Sequence, residues 1–124
     1  MDHLIIQESK RTPEISFKTD GDLSIKGRSI PEDAGKFFDP LCNWLSEYSA
    51  NPSKNTTLNV FLEYFNSGSA KSLLQVIKLV ANLRLNPLNQ VVINWYYETG
   101  DDDILERGQY YSSILNFDFN YFEV

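Results

Sequence analysis

Asn66-Ser67-Gly68-Ser69 is the stretch of this chain whose residue types and spacing best suit chemistry, with two hydroxyls set between the apolar end Tyr64-Phe65 and a helical pattern that follows Lys71. A serine between a strand and a helix can accept and display a phosphate. The amides of the first helical turn point outward, and the helix dipole favours negative charge by about 0.3–1 kcal/mol. Phosphorylation would add about −1.5 to −2 charge at pH 7, enough to make or unmake a docking surface. Ser67 is the expected acceptor and Ser69 its rival. Ser67 is expected in the turn, Gly68 to give the backbone freedom, and Ser69 to cap the helix. The expected switch loop comprises Tyr64, Asn66, Ser67, Gly68, Ser69 and Lys71. The same residues also make an ordinary loop and cap, so spacing alone does not prove regulation.

Other constellations weigh less. Asp101, Asp102 and Asp103, with Glu98 and Glu106 nearby, could gather a hard cation. Acids near the positive end of a helix are the simpler account, with a solvated rim for a basic partner in between. No metal or cofactor is expected. A nucleophilic Ser67 would need a base, and the only histidine, His3, lies near a terminus. A small serine hydrolase is therefore kept only as an alternative, and no catalysis is expected. Cys42 fits a small buried hydrophobe better than a nucleophile. In Trp95-Tyr96-Tyr97, alternation puts Trp95 and Tyr97 on one face and Tyr96 on the other.

The elements that must position these groups fit within one domain. The chain has 124 residues, 42% hydrophobic and 14% aromatic, enough for one core. A single domain spanning 1–124 is expected, with 1–11 as a loosely ordered lead-in. A net charge of −6 removes the main attraction for nucleic acid, which is not an expected partner. A lone cysteine and the absence of a long apolar run point to a cytoplasmic protein that does not insert into membranes.

Polar–apolar alternation on both sides of Asp20-Gly21, from Glu14 to Lys26, predicts a β-hairpin. Ser29-Ile30-Pro31-Glu32-Asp33 predicts a helix start, with Phe37, Leu41, Trp44, Leu45 and Tyr48 inward and a kink or break before Pro40. Leu58, Val60, Leu62 and Tyr64 alternate with Asn59, Phe61, Glu63 and Phe65, which predicts a central strand covered on two sides. A helix with Leu73, Leu74, Ile77, Val80 and Ala81 inward follows, ending before Asn86-Pro87. Gln90 to Tyr97 reads as a strand, and Gly100 to Asp103 opens a third helix with Ile104, Leu105, Tyr111, Ile114 and Leu115 inward. Asn116 to Phe122 closes as a strand with Phe117, Phe119 and Tyr121 on one face. The class is α/β: a mixed sheet with an N-terminal hairpin, about three helices, and right-handed crossovers.

Taken in order, Thr12-Pro13-Glu14-Ile15-Ser16-Phe17, Gly27-Arg28-Ser29-Ile30-Pro31-Glu32, Leu62 to Lys71, Asn94-Trp95-Tyr96-Tyr97-Glu98 and Phe117-Asp118-Phe119-Asn120 resemble the SiaC-type regulatory phosphoprotein family of bacteria. The resemblance runs from about Thr12 to Phe122. It implies a STAS-like fold and a partner-switching module. A serine/threonine protein kinase would phosphorylate the loop, a cognate phosphatase would reverse it, and the bare form would engage a diguanylate cyclase or similar effector in cyclic-di-GMP signalling. The family acceptor, usually threonine in Asn-Thr-Ser-Ser, falls on Ser67, and Gly68 stands where the family has serine. An anti-sigma-factor antagonist is the alternative of the same STAS-like logic.

Overall fold

A computed structural model describes every residue from Met1 to Val124. Six strands form one mixed sheet in chain order: β1 (Leu4–Ile6), β2 (Glu14–Phe17), β3 (Asp22–Ser29), β4 (Asn55–Phe65), β5 (Gln90–Tyr97) and β6 (Asn120–Glu123). β1, β2 and β3 pair antiparallel, while β3 through β6 run parallel. Helices α1 (Ala34–Ala50), α2 (Ser67–Ala81) and α3 (Asp102–Leu115) make the three crossovers. A short 3-10 turn over Asn82–Leu85 extends α2.

The expected hairpin forms as β2 and β3, with Ile15, Phe17, Leu23 and Ile25 all inward. Its turn is closed by the Gly21 amide donating to the Lys18 carbonyl at 3.0 Å and the Asp22 amide donating to the Asp20 carboxylate at 3.0 Å. Gly21 has φ of 93°, and a Cβ there would lie 2.1 Å from the Asn55 carbonyl oxygen, so both backbone angle and space demand glycine. Residues 1–11 are not merely a lead-in. Leu4–Ile6 adds an edge strand to the hairpin, and Trp44 donates its indole N–H to the Asp2 carbonyl at 2.8 Å.

Because the parallel strands follow one another in chain order, right-handed crossovers must all lie on the same side of the sheet. Burial agrees: Leu58, Val60 and Leu62 of β4 and Ile93 and Trp95 of β5 are buried, whereas Asn59, Phe61, Asn94 and Tyr96 on the other face are only half-buried. β4 is therefore central but covered on one side, not two. On the helix-free face Asn59, Asn94 and Asn120 form an amide ladder, with Asn94 donating to Asn59 at 2.9 Å and Asn120 donating to Asn94 at 3.0 Å. Phe61, Tyr96 and Phe122 pack beside it. Apolar letters on both faces of β4 thus record an aromatic row, not a second helical layer.

Helix starts and faces differ from expectation in instructive places. Ser29 ends β3, and α1 begins at Ala34, capped by Asp33, whose carboxylate accepts from the Lys36 amide at 3.1 Å. That shift turns Phe38 inward, with Phe37 half-buried. Pro40 does not break α1, which runs unbroken to Ala50. Lys36 and Pro40 are both exposed, so water can serve the carbonyl that Pro40 leaves without a donor, while Phe38, Leu41, Trp44, Leu45 and Tyr48 anchor the helix. In α2, Leu73, Ile77, Val80 and Ala81 are buried as expected, joined by Val76, and Leu74 is half-buried. In α3 Ile114 is exposed and Gly108 takes its place at the contact with β5, because the Trp95 ring leaves no room there. β6 begins only at Asn120; the preceding Phe117 and Phe119 still pack toward the core with Tyr121.

Candidate functional site

The parallel strands β4 and β5 end side by side, and the segments leaving them enter α2 and α3. Such carboxyl ends of parallel strands are where α/β sheets bind ligands. Here they enclose an open groove of ≈ 530 Å³, lined among others by Tyr64, Asn66 and Ser67 from the β4–α2 side and Asp101, Asp103, Glu106, Arg107 and Tyr110 from the α3 side.

A bulge shapes the β4 lip. Gly27 pairs with Leu62 but Arg28 pairs with Tyr64, so Glu63 is an extra residue on β4. Gly27, with φ of 126°, supplies the opposing backbone. The extra residue shifts the alternation: Leu62 and Phe65 face the core while Glu63 and Tyr64 face out. Strict alternation would have buried Tyr64; instead it is 56% exposed on the groove. Glu63 meets Arg28 at 3.2 Å, an exposed pair contributing less than about 1 kcal/mol.

Ser67 and Ser69 have opposite fates. Ser67 is the first residue of α2 and is exposed on the groove. The cap is Asn66, not Ser69: the Asn66 side-chain oxygen accepts the Ser69 amide at 2.9 Å. Ser69 is fully buried. Its hydroxyl donates to the Ser29 carbonyl at 3.1 Å and lies 2.8 Å from the Ser29 hydroxyl. The same Ser29 carbonyl accepts the Asn66 amide at 3.0 Å, so one buried acceptor pins both the cap and the first turn to the end of β3. Gly68 is exposed in ordinary helical backbone, and a Cβ there would stand 3.8 Å from its neighbours, so a serine would fit. It is not needed for backbone freedom. Lys71 is exposed on α2 but does not line the groove, nor do Gly68 and Ser69.

The α3 lip begins with Asp101, whose carboxylate accepts the Ile104 amide at 3.1 Å, so the run of acids serves as a helix start. No three His, Cys, Asp or Glu side chains converge as metal ligands. Asp103, Glu106 and the half-exposed ring of Tyr110 give the groove an acidic, aromatic wall. Arg107 is its single cation, with the guanidinium carbon 5.8 Å from the centre of the Phe65 ring.

Behind this wall Trp95 is buried, donates its indole N–H to the Ile104 carbonyl at 3.0 Å and meets Tyr111 edge-on. As expected, Tyr96 points the other way, onto the helix-free face. The Tyr111 hydroxyl donates to the Ala70 carbonyl at 2.6 Å, tying α3 to the first turn of α2. Burial pushes that hydroxyl up to about 12, while the positive charge of Arg107 and its hydrogen bond to the hydroxyl pull the other way. His3 accepts the Thr19 amide at 2.9 Å in the β2–β3 turn, at the opposite end of the sheet from Ser67, so it cannot act as a base there. Burial, with Asp39 alongside, raises the Cys42 thiol, which favours the inert form.

Sequence reasoning placed Tyr64, Asn66 and Ser67 together and missed Arg107 and Tyr110. Their spacing from the capping Asp101 on a helix entering beside β5 was the available signal, but only the parallel pairing of β4 and β5 brings them to Ser67.

Residues 6–124 match the model of the SiaC family, regulatory phosphoproteins. An uncharacterised protein of Pseudomonas aeruginosa (strain UCBPP-PA14) is 24% identical over 120 residues, covering 96% of this chain and 94% of that one. SiaC of Pseudomonas aeruginosa superposes with a TM-score of 0.83 at 22% identity, covering 98% of this chain and 96% of the other. A chain from the crystal structure of the diguanylate cyclase SiaD in complex with its activator SiaC, also from Pseudomonas aeruginosa, gives a TM-score of 0.85 at 23% identity, covering 98% and 99%.

Proposed function

Since the chain belongs to the SiaC family of regulatory phosphoproteins, we propose that it is a non-catalytic switch, phosphorylated on Ser67 by a dedicated serine/threonine kinase and restored by a phosphatase. In its bare form it docks a diguanylate cyclase through the groove between α2 and α3 and so sets cyclic-di-GMP output. The role of SiaC as activator of SiaD in Pseudomonas aeruginosa supports this choice of effector. The observation that carries the acceptor assignment is the contrast of hydroxyls: Ser67 is exposed on the groove, whereas Ser69 is sealed and bonded to Ser29. Tyr64 and Tyr110, 56% and 59% exposed, offer the aromatic area that interface anchors use. No helix of the protein is long and apolar enough to cross a membrane, which fits a switch working in the cytoplasm.

A pull-down with the Ser67→Ala and Ser67→Asp variants tests this. The alanine form is expected to retain the cyclase and the aspartate form to lose affinity, less than phosphate would cause because it carries less charge. Equal retention by both variants would contradict control through Ser67. Recovery of an anti-sigma factor in place of a cyclase would move the protein to the alternative pathway with the same switch.

A further inference from the structure

Resting on Ser67 as the acceptor, we propose that Arg107 receives the Ser67 phosphate, forming a latch within the chain from α2 to α3 across the groove. The groove is lined by Glu63, Asp101, Asp103 and Glu106 against this one cation. The ion pairs of the structure are Arg11 with Glu32 and Arg28 with Glu63, so Arg107 has no carboxylate partner. It lies over the face of Phe65, 5.8 Å away, an exposed cation–π contact of about 0.5–1 kcal/mol, and its guanidinium also reaches the Tyr111 hydroxyl, contacts weaker than an ion pair. A phosphate offers a planar guanidinium charge-assisted, bidentate bonds and outcompetes an aromatic face.

The latch also gives the switch its direction. Added negative charge in an acidic groove would, by itself, attract a basic partner more strongly. A phosphate that captures Arg107 instead removes the only cation a partner carboxylate could use and fills the space between the lips. Tyr111, one turn beyond Arg107, already bonds the Ala70 carbonyl at 2.6 Å, so α3 is tied to the first turn of α2, the turn that carries Ser67.

The test installs phosphoserine at position 67 of the full chain by genetic code expansion and follows its phosphorus resonance through a pH titration. The ordinary second ionisation of a phosphoserine falls near pH 6. With the latch, Arg107→Gln raises that midpoint by roughly 0.5–1 unit, since an opposite charge favours the dianion. Arg107→Lys gives a smaller rise, and Lys78→Gln, an exposed lysine at the far end of α2, gives none. Superimposable titrations for the native chain and Arg107→Gln would overturn the latch. Should Arg107→Gln fail to fold, the Arg107 side-chain Nε–H resonance of the otherwise native protein decides: displacement on phosphorylation supports the latch, and an unmoved signal overturns it. No kinase is used, so a kinase that ignores Ser67 would defeat the acceptor assignment and leave this result standing on its own.

Discussion

The two ends of the sheet are built to different ends. At the amino ends of the parallel strands the polar groups satisfy one another: the Thr57 amide donates to the Gly21 carbonyl at 2.8 Å, Ser53 donates to the Thr19 carbonyl at 3.0 Å, and the Tyr48 hydroxyl lies 2.8 Å from Thr56. At the carboxyl ends a bulge turns Tyr64 outward, and acids, an exposed serine and one arginine without a carboxylate partner face an open groove. The closed end contributes stability; the open end keeps groups free for a phosphate and a partner. Substitutions should separate accordingly.

The largest effect is expected at the closed end. Gly21→Val sets a side chain against the Asn55 carbonyl in a left-handed backbone, and should cost at least about 3 kcal/mol in urea unfolding. Survival of normal stability would mean that the closed end tolerates rearrangement. Next comes the wall behind the groove: a Cβ at Gly108 would lie 2.6 Å from the Trp95 indole nitrogen, so Gly108→Ala should cost about 1–3 kcal/mol and alter the tryptophan emission.

Tyr111→Phe removes the bond to Ala70 and should cost about 1 kcal/mol. It also has a pH signature. The Tyr111 proton is held up to about 12 in the fold, so its contribution is fully present below the unfolded tyrosine range near 10 and is lost as pH rises through about 12. Alkaline unfolding between those values should therefore be less steep in Tyr111→Phe. The smallest change is expected at the open lip. Gly68→Ala places a methyl in ordinary contact distance of Ala34 and Asn66, 3.8 Å from each, on a helical residue and should stabilise by about 0.4–1 kcal/mol, leaving the hydroxyl of Ser67 in place.

What could be read from sequence follows the range of the forces involved. The hairpin, the α2 face and the opening of α3 within Gly100 to Asp103 are local, set by alternation, helical spacing and turn chemistry, and they appear where expected. The bulge at Glu63 is not local: it depends on Gly27 lying opposite across a parallel pair, so alternation alone puts Tyr64 on the wrong face. The Ser29–Ser69 pair is likewise a contact between elements forty residues apart, and without it Ser69 looked like a cap and a rival acceptor. Arg107 joined the site only through the order of the strands.

Mass-spectrometric mapping of the chain after incubation with ATP and the serine/threonine kinase from its own gene neighbourhood tests the central claim most directly. The account predicts one phosphate, on Ser67, and none on Ser69 even in the Ser67→Ala variant. Phosphate on Ser69, or on neither serine while another substrate of the kinase is modified, would contradict it.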